Sequence, residues 1–185
     1  MKFNDPEKLA GYVAHYFIKH GEKPEIPDAD IGRFLRHPAA CFVTVYVSGD
    51  LRGCIGNIRP AGPLGRSIIN NAVYAVRDDI RFPRITSAEL PRMSVDVSVL
   101  SPLVLYTPKN TGELLQYLDR VKPGLVIEKE GRNAVYLPQV WDQLPQPEEF
   151  LSSLSLKAGL SPDAWRTGAT YYTFRTIQTE TDVIA

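Results

Sequence analysis

The first half of the chain shows two different periodicities of apolar and polar residues. Near the start the apolar residues have helical spacing, and a helix is predicted from Asp5 to Lys19 with Asn4 or Asp5 as its N-cap. Its apolar stripe consists of Leu9, Val13, Tyr16 and Phe17. A second short helix is predicted around Asp30 to Arg36, ending before Pro38 because the residue preceding proline disfavours helical backbone.

The next segment instead has the two-residue period of β-strands. Ala40 to Val47 alternates strictly, and Ser48-Gly49-Asp50 separates it from a second strand, Leu51 to Ile55. A two-residue turn at Gly49-Asp50 competes with a three-residue loop that keeps the apolar faces together. We favour the loop, since a slip would bury an arginine among valines.

This register makes three positional predictions. Cys54 should lie opposite Thr44, and Arg52 opposite Tyr46, all on one face of the strand pair. Cys41 should point to the other face, where it cannot form a disulfide with Cys54.

Periodicity and turn residues also predict the remaining elements. They are a helix from Leu64 to Arg77, a strand from Met93 to Leu100, a helix from Thr111 to Leu118 begun by a threonine cap, a hairpin of Gly124 to Lys129 with Ala134 to Leu137, a helix from Pro147 to Leu160 and a strand from Tyr171 to Ile177. No repeat, linker or low-complexity stretch separates them, so residues 1–185 are predicted to be one domain.

Composition narrows the partners. The chain has 21 basic and 21 acidic residues and a sequence pI near 6.8. It therefore has no net positive charge that would attract nucleic acid. No apolar run approaches the roughly 18 residues of a membrane helix. Two cysteines and no secretory signal pattern predict a reducing, cytoplasmic location.

Candidate chemistry concentrates in the segment Leu51-Arg52-Gly53-Cys54-Ile55-Gly56. A guanidinium beside a thiol favours the reactive thiolate, and small flanking residues leave the sulfur open to approach. The alternative is that Cys54 is simply a small core residue, as free cysteines often are. Two glycines in one strand favour the first interpretation, because they imply that backbone or ligand comes close.

The motif LRGCIG resembles the signature of the AMMECR-domain family, also called AmmeMemoRadiSam system protein A. The likeness continues in order through Asp78-Asp79 with Arg81-Phe82-Pro83, Val97 to Pro102, Tyr136 to Val140, and Lys157 to Leu160 followed by Trp165. Asn57 and Arg84 depart from the usual pattern. The resemblance implies a mixed α/β (α+β) fold of two apposed lobes, with a mainly antiparallel sheet flanked by helices. It also implies that a Memo-like protein and a radical S-adenosylmethionine protein are encoded alongside it and are possible partners.

Two functions follow as hypotheses. In the first, Cys54 is the nucleophile or thiol carrier of an enzyme or enzyme subunit. Arg52 and Arg81 then hold an anionic group, and Asp79 orients an arginine or moves a proton. Gly53, Gly56 and Gln139 would line the substrate site. A general base is missing from this scheme, since only His37 is even loosely a candidate.

In the second hypothesis the same residues form a non-catalytic groove for a peptide, a protein or a small molecule. Neither hypothesis requires a cofactor. Three scattered histidines and two separated cysteines also predict no metal site.

Overall fold

The computed structural model describes residues 1–177 of the chain, which divide into two compact units. The first unit contains Met1–Ser101 together with Ile177, and the second contains Pro102–Thr176. The elements of the first unit are α1 (Pro6–His20), β1 (Ala40–Val47), β2 (Asp50–Gly56), α2 (Leu64–Arg77) and β3 (Met93–Leu100). Those of the second are β4 (Val104–Tyr106), α3 (Thr111–Val121), β5 (Gly124–Lys129), β6 (Arg132–Tyr136), α4 (Pro147–Lys157) and β7 (Thr170–Phe174), and β8 (Thr176–Ile177) follows.

The predicted first helix is confirmed, including its capping. Asp5 is the N-cap, and its carboxylate accepts hydrogen bonds from the backbone N–H of Glu7 at 2.8 Å and of Lys8 at 3.0 Å. Gly21 ends the helix in the left-handed conformation at φ 77°. These caps fix where α1 begins and ends, and most of its apolar stripe packs in the core.

The first sheet has the strand order β2-β1-β3-β8, so β2 is an outer strand. One face of this sheet packs on α1 and α2 through alternate residues of β1, as the alternation predicted. Cys41, Val43 and Val45 on that face are fully buried. The prediction that Cys41 lies on the face opposite Cys54 is confirmed.

The hairpin of β1 and β2 contains a β-bulge. The bulge lets a two-residue turn coexist with Cys54 on its predicted face. Ser48 and Gly49 form a two-residue turn at φ 55° and 89°, the positive values that type I′ turns require, so the predicted three-residue loop is wrong. The register shifts between Val45 and Tyr46, and Cys54 is brought opposite Thr44 as predicted.

Arg52 is the residue that this shift displaces. Tyr46 pairs with Leu51 and Val45 pairs with Gly53, which leaves Arg52 as the extra residue of the bulge. The prediction that Arg52 lies opposite Tyr46 is therefore wrong.

The second helix predicted around Asp30 to Arg36 is also wrong in part. Two separate single turns of 3₁₀ helix occur there, Asp28–Asp30 and Phe34–Arg36. The backbone between them pairs with the N-terminal segment, since Phe3 donates to the carbonyl of Asp30 and Gly32 donates to that of Phe3. Those hydrogen bonds replace the ones that a continuous helix would make.

The second unit has the strand order β4-β7-β5-β6, with α3 and α4 packed in its core. The rings of Trp141 and Phe150 stack there at 3.7 Å between centroids. Asn110 rather than Thr111 caps α3, and its side chain accepts from the N–H of Glu113 at 2.9 Å. Tyr171 to Ile177 is not one strand but two, β7 and β8, which belong to different sheets.

The predicted mixed α/β class is confirmed: two antiparallel sheets are each accompanied by helices. The single domain over residues 1–185 stays a prediction. Within residues 1–177, none of the helices has the length and apolar character needed to cross a membrane.

Candidate functional site

Cys54 lies in the outer strand β2, where its backbone groups point away from the sheet. Its N–H donates to Asp79 Oδ2 at 2.9 Å, and its carbonyl oxygen accepts from Arg81 Nη2 at 3.1 Å. An outer strand normally leaves such groups unpaired, and here two side chains satisfy them as a neighbouring strand would. The segment after α2 is thereby attached to β2 at the position of the thiol.

Asp79 and Arg81 form a paired unit around this attachment. Arg81 donates from Nε to Asp79 Oδ1 at 2.8 Å and from Nη2 to Oδ2 at 2.6 Å. The arginine holds the pKa of the Asp79 carboxyl below its usual value, against the opposing effect of burial. The Asp79 side chain is 4% exposed, whereas that of Arg81 is 52% exposed. Asp79 thus orients Arg81, and one side of the guanidinium remains accessible.

Arg52 is held by different partners. Its Nη1 forms an ion pair with Glu89, and its Nη2 donates to the carbonyl of Pro83 at 3.1 Å. The Arg52 hydrogen bond is the main reason that the pKa of Glu89 falls to about 2. Glu89 also belongs to a capping box with Thr86, so Arg52 connects β2 to the 3₁₀ helix Ser87–Arg92.

The thiol of Cys54 has one hydrogen-bond donor from the sheet. Thr44 Oγ1 donates to Cys54 Sγ at 3.4 Å, within the range for a bond to sulfur. Cys54 is partly exposed, whereas Cys41 is fully buried. Burial raises the pKa of Cys41 to about 11, so the two cysteines differ in chemical availability.

The two glycines of the motif each have a packing reason. A Cβ at Gly53 would overlap the backbone carbonyl of Ala75 in α2. A Cβ at Gly56 would overlap the ring of Phe42 and the carbonyl of Cys41. Backbone does come close, as two glycines in one strand predicted. Their part in substrate binding stays a prediction.

The structure brings Cys54, Asp79 and Arg81 into one hydrogen-bonded network in the first unit. Arg52 lies two residues before Cys54 in the same strand and bonds separately to Glu89 and to the carbonyl of Pro83. Gln139 lies in the second unit, in the turn Pro138–Asp142, and its role stays a prediction. The carbonyl of His37 accepts from the N–H of Leu64 at the start of α2.

Two interactions around Cys54 were not predicted from the sequence: the hydrogen bond from Thr44 to the Cys54 sulfur, and the ion pair of Arg52 with Glu89. A signal for Glu89 was present, because Thr86 three residues earlier is the pattern of a capping box. Its pairing with Arg52, 37 positions away, had no local signal.

The second unit contains a separate cleft of about 420 Å³. Trp165 and Tyr171 contribute to its walls, and Lys109 and Arg166 are the charged residues that line it. Arg166 lies over the Trp165 ring at 4.4 Å from the centroid and is 3.2 Å from Asp163. Across residues 1–177, histidine, cysteine and carboxylate side chains form no group of three or more suited to a metal ion.

Comparison with known proteins gives consistent matches. The family model AMMECR1 matches residues 8–179. A protein of Methanosarcina mazei is 34% identical over 173 residues, covering 90% of this chain and 85% of its own. A protein of Methanocaldococcus jannaschii is 38% identical over 162 residues, covering 85% of this chain and 76% of its own. The crystal structure of an uncharacterised protein from Pyrococcus horikoshii is similar with a TM-score of 0.80 and 32% identity, covering 92% of this chain and 86% of that one.

Proposed function

The chain belongs to the AMMECR1 family, and we propose that it acts through the Cys54 thiol as a thiol-dependent enzyme or enzyme subunit. The observation that carries this proposal is the contrast between backbone and sulfur at Cys54. The backbone is held on its open side by Asp79 and Arg81, while the side chain remains partly exposed. A nucleophile or thiol carrier needs this combination of fixed position and access.

The arginines have unequal parts in this proposal. Both Nη atoms of Arg52 have partners, Glu89 and the carbonyl of Pro83, so Arg52 fixes the strand. Arg81 keeps a half-exposed guanidinium next to the Cys54 carbonyl and is the better candidate to meet an anionic group of a ligand. The ligand class is therefore a small molecule or peptide with an electrophilic centre and an acidic group.

The test is alkylation with iodoacetamide followed by peptide mass mapping. Native protein should incorporate one label quickly, at Cys54, and Cys41 should react only after unfolding because it is buried. Mass spectrometry should then find metabolites or peptides trapped on the wild type and absent from Cys54→Ser. Equal and slow labelling of both cysteines in the folded protein would contradict the proposal.

Partners remain part of the proposal. The family resemblance supports a Memo-like protein and a radical S-adenosylmethionine protein, with the chain acting in the cytoplasm and without a cofactor of its own. The balance of 21 basic and 21 acidic residues supports a function without nucleic acid. Purified candidate partners that fail to bind the chain in analytical ultracentrifugation would remove this part alone.

A second candidate function, a non-catalytic binding module, is favoured by the cleft in the second unit. Its volume of about 420 Å³ is that of a small-molecule site. Lys109, with Arg166 that is itself paired with Asp163, would attract an acidic ligand with an apolar body. Titration with benzoate and with benzamide, followed by tryptophan fluorescence, tests it. Binding of benzoate that Arg166→Gln weakens and Cys54→Ser leaves unchanged would support the module, and equal responses to both probes would not.

A further inference from the structure

The face of the first sheet opposite α1 and α2 carries a row of polar side chains across three strands. Thr44 in β1 is paired with Cys54 in β2 on one side and with Asp96 in β3 on the other. Side chains paired in this way lie about 5 Å apart at their Cβ atoms. Thr44 is only 5% exposed although it is polar, so its hydroxyl needs a partner, and Cys54 Sγ at 3.4 Å is that partner.

We propose that Thr44 is a positioning residue whose hydroxyl holds the Cys54 sulfur and stabilises its thiolate. This inference rests on the proposed function, in which Cys54 is the reactive group. A neutral thiol is a weak acceptor, while a thiolate is a strong one, so a buried hydroxyl that donates to sulfur favours the charged form. Thr44 also fixes the direction of the sulfur, because a β-branched side chain on a central strand has few rotamers.

The charges on this face make an uncharged donor important. Asp96 lies beside Thr44 and carries a negative charge that opposes a thiolate. Burial, then Asp96 and Cys54, raise the pKa of Tyr46. Burial and Asp96 also raise the pKa of Glu7 in α1.

Arg81 interacts electrostatically with Cys54, but both arginines near β2 already have carboxylate partners. Arg52 is paired with Glu89, and Arg81 is paired with Asp79, so the formal charges of the two pairs cancel. The stabilisation of a thiolate by nearby guanidinium groups is correspondingly reduced. The Thr44 hydroxyl is the donor that the structure directs at the sulfur of Cys54.

The experiment measures the alkylation rate of Cys54 by neutral iodoacetamide against pH, with peptide mapping to separate Cys41. Thr44→Val replaces the hydroxyl with a methyl of similar size and should slow the reaction about tenfold at pH 7, with the midpoint of the pH profile moved upward. Thr44→Ser keeps the hydroxyl and should remain within about threefold of the wild type. A purely structural role predicts the reverse order, because valine keeps the branched shape and serine loses a methyl.

A second matched pair protects the test against a variant that fails to fold. Thr44→Ser and Thr44→Ala differ only in the hydroxyl, and the alanine variant should be about tenfold slower. If Cys54 reacts quickly in the wild type and in both hydroxyl-free variants, the inference is overturned and the proposed function stands. If wild-type Cys54 reacts no faster in the folded protein than in urea, the proposed function fails and this inference fails with it.

Discussion

Replacing Gly53 with alanine gives the sharpest test of how the motif around Cys54 is built. Gly53 is paired with Val45, and its Cα faces the backbone of α2. An added Cβ would lie 3.0 Å from the carbonyl carbon of Ala75 and closer still to its oxygen. Because these are backbone atoms within a helix, no side-chain rotation relieves the overlap, and β2 and α2 must separate.

The expected cost follows from overpacking. Forcing an extra methyl into a well-packed contact costs roughly 1–3 kcal/mol, and the contact here is with rigid backbone, which favours the upper part of that range. The smaller entropy of the unfolded alanine chain returns about 0.4–1 kcal/mol. Gly53→Ala should therefore lower the free energy of unfolding by about 2 kcal/mol.

Gly11→Ala is the matched control within the same unit. Gly11 lies inside α1, and a Cβ there meets no atom within 4 Å. Alanine in a helix interior is favoured over glycine by about 0.5–1 kcal/mol, so this variant should be more stable than the wild type. Urea unfolding followed by circular dichroism should place the two alanine variants on opposite sides of the wild type.

Equal stability of Gly53→Ala and the wild type would refute the packing argument. If that variant also lost reactivity at Cys54 while remaining stable, the glycine would serve ligand access, as the sequence alone suggested. Loss of stability with Cys54 still reactive at low temperature would instead assign Gly53 to the contact between β2 and α2.

Two further predictions concern the ionic contacts around β2. Asp79→Ala should destabilise the first unit by about 1–3 kcal/mol, since the buried charge-assisted contact with Arg81 is lost. The acceptor of the Cys54 N–H is lost as well, so hydrogen exchange at the Cys54 amide should become faster; unchanged exchange would contradict the attachment seen at 2.9 Å. Glu89 has its pKa lowered by Arg52 to about 2 from 4.5, so the folded protein binds fewer protons there than the unfolded chain. Stability should therefore fall as the pH drops from about 4.5 to 2. Urea unfolding across that range should show a shallower fall for Glu89→Gln, and parallel curves would contradict it.

Local rules predicted most of the strands and helices because those elements satisfy them locally, but the three-residue strand β4 was not predicted. The signals for α1 all lie within its 15 residues or directly beside them: the cap Asp5, the proline at its first position and the terminal Gly21. The segment of Asp28–Arg36 was misread because its backbone bonds to Phe3, about 30 positions away. Periodicity carries no information on such a contact.

The hairpin shows why two correct local rules can give one wrong residue. The turn rule favoured two residues, and the face rule placed Cys54 opposite Thr44. The structure has a two-residue turn, although at Ser48-Gly49 rather than at Gly49-Asp50, and it has Cys54 opposite Thr44. The two are compatible only through a bulge, which costs one unpaired position. That position is Arg52, so counting along the strand misplaced the arginine and left the cysteine correctly placed.

The candidate site follows the same division between local and distant information. The strand pattern placed Cys54 and Thr44 on one face, and the motif alone could not reveal that Asp79 and Arg81 bond to the backbone of Cys54 from 25 and 27 positions away. Those bonds change the chemistry expected of the motif. A guanidinium read in isolation is a free positive charge beside a thiol, whereas one paired with a carboxylate adds little net field. We therefore expect reactivity at Cys54 to depend less on the arginine next to it in sequence than on the hydroxyl across the strand, and the Thr44 variants measure that dependence directly.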